Sequence, residues 1–119
     1  REAALRFLAR TQTVDGSWAG DVVATALALH AFARAGHTPT GGDYRPQLGR
    51  AAAWLDAHGA PSEAPEALGD AALRAAGFSL EQLMSSQNHG GDADGAVLLP
   101  GADPLRPTPQ TIALTAALA

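Results

Sequence analysis

Three aspartates near the C-terminal end have the spacing that comes closest to a cation site in this sequence. Asp92, Asp94 and Asp103 occupy the first, third and twelfth positions of a twelve-residue frame, where calcium loops place ligands. The frame has Ala96 at its fifth position and Val97 at its sixth, where such a loop needs a glycine. The aspartates therefore form either a calcium loop or, more simply, a solvated turn. We expect no metal and no cofactor.

The histidines are the other side chains with ligand chemistry. They stand at positions 30, 37, 58 and 89, without the short spacing of a zinc site. His30 falls within an apolar stretch, so it either lines a ligand cavity or, more simply, is a hydrogen-bonded histidine of the core. The chain has no cysteine, which excludes disulfides, thiolate nucleophiles and cysteine-bound zinc. We therefore assign no catalytic residue.

The charge of the chain argues against nucleic acid as a partner. All eight basic residues are arginine, acidic residues outnumber them, and the formal net charge is −4 at pH 7. The sequence contains no basic stripe that would attract phosphates. No apolar run reaches the roughly 20 residues that a transmembrane helix needs, so we also expect no membrane span.

Apolar periodicity and turn residues divide the chain into about six helices. The first has apolar residues on one side and arginines on the other, whereas the second is apolar nearly all round and should be buried. Asp21 is predicted to cap the second helix, and Gly36 to end it. The helices are predicted at 1–12, 22–35, 46–58, 62–76, 79–87 and from 108 onward. We expect one all-α domain, residues 1–119, made of three helical hairpins at 1–36, 46–77 and 79–119.

The turn between the first two helices carries the most distinctive residue pattern. Asp15-Gly16 favours a chain reversal, because glycine takes positive φ and aspartate bonds to nearby backbone. Gln12 should donate to unpaired carbonyls at the end of the first helix, and Trp18 should pack against the joint. The pattern resembles the QW motif of terpene cyclases and prenyltransferases. Their fold is a ring of helical hairpins, the α/α toroid, so the resemblance implies outer and inner helices joined by this turn.

The same pattern recurs weakly along the chain. Phe7-Leu8 corresponds to Trp54-Leu55, and Gln87 to Gly91 repeats the spacing of Gln12 to Gly16. A period of somewhat over forty residues is typical of stacked hairpins or toroids. Three hairpins are about half of a closed toroid of this family. The resemblance therefore implies a partial toroid with an open edge.

Departures from the motif favour a non-catalytic role. Gly59 stands where the second glutamine would fall, and Ala93 where the third tryptophan would. Squalene-type cyclases hold their general acid in a DxDD motif, and Asp92-Ala93-Asp94-Gly95 lacks its last aspartate. We expect an interaction or scaffold domain cut from a larger bacterial-type protein, whose partners are other domains of that protein or a second copy. The alternative is a fragment of a cyclase-like enzyme that binds an apolar isoprenoid.

Overall fold

Four helices dominate the part of the chain that the computed structural model describes, residues 2–37, 41–59, 87, 95–97 and 107–118. They are α1 (Glu2–Thr11), α2 (Val22–Arg34), α3 (Arg45–His58) and α4 (Pro109–Leu118). These described residues form no strand, although Gln87 and Val97 make an isolated antiparallel bridge. The all-α class is confirmed. The helices predicted at 62–76 and 79–87 lie outside the described residues except for Gln87, so the count of six stays a prediction.

α1 buries one side and exposes the other, as its periodicity predicts. Arg6 and Arg10 are exposed. The Arg10 guanidinium lies 5.6 Å from the centre of the Phe7 ring, so the arginine contacts the edge of the apolar side while its charge stays in solvent. The fully buried side chains of the helix are Ala4, Leu5, Phe7 and Leu8.

α2 begins at the predicted residue and ends at Arg34, one residue before its predicted end. The Ala24 N–H donates to Asp21 Oδ2 over 2.8 Å, which satisfies one of the unpaired donors in the first turn of the helix. At the other end Ala35 is the C-cap. Gly36 follows it with a φ of +92°, which glycine adopts without the steric cost of a side chain. Both predicted boundary residues are confirmed.

α2 and α4 are the most closely associated helices of the described part. Their buried alanines belong to one apolar cluster, and side chains this small let two helix axes approach closely. Arg34 Nη2 also donates to the Ala116 carbonyl oxygen over 2.8 Å, which satisfies a C-terminal carbonyl of α4. The alanines concerned are Ala24, Ala28 and Ala31 on α2 and Ala113 and Ala116 on α4.

One side of α2 is incompletely covered. Val23 is 38% exposed, and Val22 and Leu29 are half-buried. The prediction that this helix is buried all round is therefore wrong at these positions. On the covered side, Ala24, Ala28, Ala31, Leu27 and Phe32 are buried, and that side anchors the helix. None of the described helices is long and apolar enough to cross a lipid bilayer.

Aromatic rings extend the core from the turn after α1 to the start of α3. The ring centre of Phe32 lies 6.2 Å from that of Trp18 and 4.9 Å from that of Tyr44. The His37 ring meets Tyr44 edge-on, with 4.9 Å between their centres. These separations are those of favourable aromatic pairs. The side chains thus join the two connections that flank α2.

The cap of α2 gives a first test of the fold. Asp21→Ala removes the acceptor of the Ala24 N–H, so we expect the free energy of unfolding to fall by about 1 kcal/mol. Urea denaturation followed by circular dichroism measures the change. Asp56→Ala, at an exposed position of α3, is the matched control and should change stability by less than about 0.5 kcal/mol. Equal losses in the two variants would contradict the capping role.

Candidate functional site

The turn from Thr13 to Gly16 is held by hydrogen bonds that converge on Asp15. The Gly16 N–H donates to the Thr13 carbonyl oxygen over 3.0 Å, and the Thr13 N–H donates to the Ser17 carbonyl oxygen over 2.9 Å. Asp15 Oδ1 accepts from the Ser17 N–H at 3.0 Å and from the Ser17 hydroxyl at 2.7 Å. The Thr13 hydroxyl also bonds to it. The carboxylate therefore fixes the shape of the turn, as the Asp-Gly pattern predicts.

These donors also determine the charge of Asp15. The Thr13 hydroxyl, then the Ser17 backbone N–H and the Ser17 hydroxyl, lower the pKa of the carboxyl from 3.8 to about 2, and the Trp54 side chain adds a smaller contribution. Hydrogen bonds to the ionised form favour it over the protonated form. A carboxyl that stays ionised at neutral pH has no proton to give, so Asp15 is unsuited to act as a general acid.

Gln12 joins the turn to α3. Its Nε2 donates to the carbonyl oxygens of Gly16 and Gln47, each over 2.8 Å, and Gln47 lies in the first turn of α3. The prediction placed the acceptors at the end of α1, and that assignment is wrong. Two carbonyls near that end accept from other side chains: Trp18 Nε1 donates to the Leu8 oxygen over 2.7 Å, and the Thr11 hydroxyl donates to the Phe7 oxygen over 2.9 Å.

Trp18 ties α1 to α2. Its indole is fully buried, and its Nε1 donates to the Leu8 carbonyl oxygen near the end of α1, which the Thr11 hydroxyl also approaches at 3.3 Å. Its backbone N–H donates to Thr25 Oγ1 on α2 over 2.9 Å. The expectation that Trp18 packs against the joint is confirmed, and the hydroxyl of Thr25 is a partner that sequence reasoning missed. The signal available in the sequence was a threonine one turn inside a helix that is otherwise apolar up to His30.

Gly16 allows the turn to press on α3. Its φ is +101°, and a Cβ built on it would lie 2.5 Å from the Arg50 carbonyl oxygen. No side chain fits in that space, so glycine is required both by the backbone conformation and by the neighbouring helix. The Gln12–Trp18 motif therefore connects three helices, α1, α2 and α3, where two were predicted.

A second group of contacts surrounds Gln87. Its Nε2 donates to the Gly95 carbonyl oxygen over 2.9 Å. The Val97 N–H donates to Thr115 Oγ1 on α4 over 3.1 Å. The predicted counterpart of Gly16 was Gly91, which lies outside the described residues.

The candidate ligand residues are only partly within the described residues. Asp92, Asp94 and Asp103 lie outside them, so the calcium interpretation stays a prediction. His30 is half-buried on α2 and interacts with the protein itself. Across the described stretches of the chain, no three histidine or carboxylate side chains are placed to hold a metal ion.

A stacked pair on α3 was missed in the sequence. The rings of Trp54 and His58 are 4.1 Å apart between centres and 17° from parallel. His58 Nδ1 lies 2.9 Å from the Trp54 carbonyl oxygen. The spacing of four residues within a predicted helix was the available signal, since such positions are neighbours on a helix surface. The pair lies in the C-terminal part of α3.

No family model, curated protein or solved structure matches the chain. The resemblance to the cyclase and prenyltransferase toroids therefore depends on the Gln12–Trp18 pattern and its repetition.

The amide of Gln12 gives a second test. Gln12→Met keeps the volume of the side chain but removes the donor to the Gly16 and Gln47 carbonyls, so we expect a loss of about 1–3 kcal/mol in unfolding free energy. Chemical denaturation measures it. Gln110→Met, at an exposed position of α4, is the control and should be nearly neutral. A neutral Gln12→Met would show that the joint does not depend on this amide.

The lowered pKa of Asp15 predicts a specific acid dependence. Its folded-state pKa of about 2 lies below the ordinary 3.8, so the stability it contributes is present above pH 3.8 and is lost as the pH falls toward 2. Asp15→Asn should flatten the decline of unfolding free energy across that window. Denaturation curves at a series of pH values measure the slope, with Asp56→Asn as the control for removing one carboxylate. Identical slopes in wild type and Asp15→Asn would contradict the assignment.

Proposed function

We propose that the chain is a non-catalytic helical-repeat domain, similar to the cyclase and prenyltransferase toroids, that acts as an interaction or scaffold segment. The observation that carries this proposal is the use of the motif side chains. Gln12 and Trp18 bond to backbone groups of the chain, and Asp15 bonds to its own turn. Each one joins helices or fixes the turn, which leaves none of them to bind a substrate.

The packing between α2 and α4 supports the same proposal. An enzyme of the cyclase type needs a dry cavity lined by aromatic side chains between its inner helices. Here the helices associate through buried alanines, and Arg34 bonds directly to Ala116. Phe7, Trp18 and Phe32 are buried in the core cluster instead. The described helices thus use their apolar side chains for packing.

Val14 is the best candidate for a contact with a partner. It is completely exposed and follows Thr13 in the turn that Asp15 fixes. A rigid apolar side chain loses little conformational freedom when it is buried in an interface. We assign Val14 to contact either another domain of the parent protein or a second copy of this chain. Val23, 38% exposed at the start of α2, is the second such side chain among the described residues.

The alternative is a cyclase-like enzyme fragment that binds an apolar isoprenoid. It needs further hairpins of the parent protein that supply a DxDD-like acid, and its ligand would change the surroundings of the two tryptophans. Titration with farnesol, followed by tryptophan fluorescence, separates the two candidates. Saturable binding would favour the enzyme, whereas unchanged fluorescence favours the interaction domain.

Light scattering at several protein concentrations tests the interaction proposal. We expect the mass of the wild type to rise with concentration, and Val14→Ser to weaken the association at least about tenfold through loss of a buried apolar side chain. Because Val14 is fully exposed in the single chain, the Val14→Ser protein should unfold at the same temperature as the wild type. Ala33→Ser, at an exposed position of α2, is the control. A mass independent of concentration would exclude a second copy as the partner, and saturable farnesol binding in addition would overturn the proposal.

A further inference from the structure

Gly95 makes the same kind of contact as Gly16. Gly95 has a φ of +86°, and a Cβ built on it would lie 1.8 Å from the Ala3 carbonyl oxygen on α1. Gly16 has a φ of +101° and a Cβ built on it would lie 2.5 Å from the Arg50 carbonyl oxygen on α3. Each glycine is therefore pressed against the backbone of an amphipathic helix belonging to another hairpin.

The two contacted carbonyls stand in the same register of the repeat. Ala3 and Arg50 are 47 positions apart, which is also the separation of Phe7-Leu8 from Trp54-Leu55. The internal repeat that aligns the apolar residues of α1 and α3 thus also aligns the two points at which a glycine docks. A chance contact between a loop and a helix has no reason to fall in this register.

The residues around the two glycines repeat as well. Gln12 and Gln87 each donate from Nε2 to the carbonyl of the docking glycine. Two positions after each glycine, at Trp18 and at Val97, a backbone N–H donates to a threonine hydroxyl of the following helix. Asp15-Gly16 thereby corresponds to Asp94-Gly95, four residues later than the spacing predicted. The longer connection carries a smaller apolar residue in place of the tryptophan.

We infer that Gln87, Gly95 and Val97 form a second clamp, which binds the chain's own α1 as the Gln12–Trp18 clamp binds α3. The segment that contacts α1 at Ala3 is therefore the third hairpin of the same molecule. Contacts between α1 and α4 continue this interface. The first and third hairpins meet, so the edge of α1 that a further hairpin would use is already covered. The inference depends on contacts within the chain and is independent of the proposed function.

Nuclear magnetic resonance on the wild-type chain tests this inference directly. We expect nuclear Overhauser effects between the Gly95 α-protons and the backbone protons of Ala3 and Ala4, because the corresponding backbone atoms are in contact. A sample that mixes differently labelled copies shows whether the contact is made within one molecule. Absence of these signals, or their presence only between copies, would overturn the inference.

Matched glycine variants provide a second test. Gly95→Ala should accelerate exchange of the hydrogen-bonded amides of α1 by at least about tenfold, and Gly16→Ala should do so in α3. Gly36→Ala and Gly59→Ala are the controls, because both glycines have positive φ but nothing within 4 Å of a built Cβ. These controls carry the backbone strain without the collision. Equal exchange rates in α1 for Gly95→Ala and the controls would contradict docking on Ala3, whatever the outcome of the farnesol and light-scattering experiments.

Discussion

The hydrogen bond from the Trp18 indole to the Leu8 carbonyl is the contact on which the described arrangement depends. A helix end leaves carbonyls without partners, and a buried carbonyl without a donor is costly. Trp18 supplies that donor from a fully buried ring. Gln12 is thereby free to reach across to Gln47. One residue of the motif thus donates to the end of α1, and another contacts the first turn of α3.

The other contacts of the described helices extend from Trp18 through α2 to α4. The Trp18 backbone holds Thr25 and so places α2 beside the turn. α2 then packs against α4 through alanines, and Arg34 closes the end of α4. Each polar side chain in this series has a partner that belongs to the framework. The motif side chains Gln12, Asp15 and Trp18 bond to the chain itself, which supports the interaction role proposed above.

Some glycines of this chain are needed for close contact with a neighbouring backbone as well as for their positive φ. Gly36 and Gly59 have positive φ with open space around them, whereas Gly16 and Gly95 also face a neighbouring backbone. The second pair therefore marks where the turn after α1 meets α3 and where Gly95 meets α1. A loop between glutamine and glycine can lengthen without disturbing the glycine that makes such a contact, so residue spacing alone does not locate it.

Local rules were sufficient for much of the fold. The bounds of the four described helices, the cap at Asp21, the end at Gly36 and the turn at Asp15-Gly16 depend on residues close together in the chain. Hydrogen bonds and steric limits between residues this close in the chain can be predicted from the sequence. The one-sided burial of α1 likewise follows from the spacing of its apolar residues.

Only the tertiary structure decided which distant groups meet. The acceptor of Gln12 on α3, the threonine partners of Trp18 and Val97, and the docking of Gly95 on Ala3 join residues from separate helices. The exposed side of α2 was also beyond the sequence, because an apolar helix does not reveal how many neighbours will cover it. Periodicity tells which face of a helix is apolar, whereas the identity of the atoms opposite that face is set by how all the helices pack together.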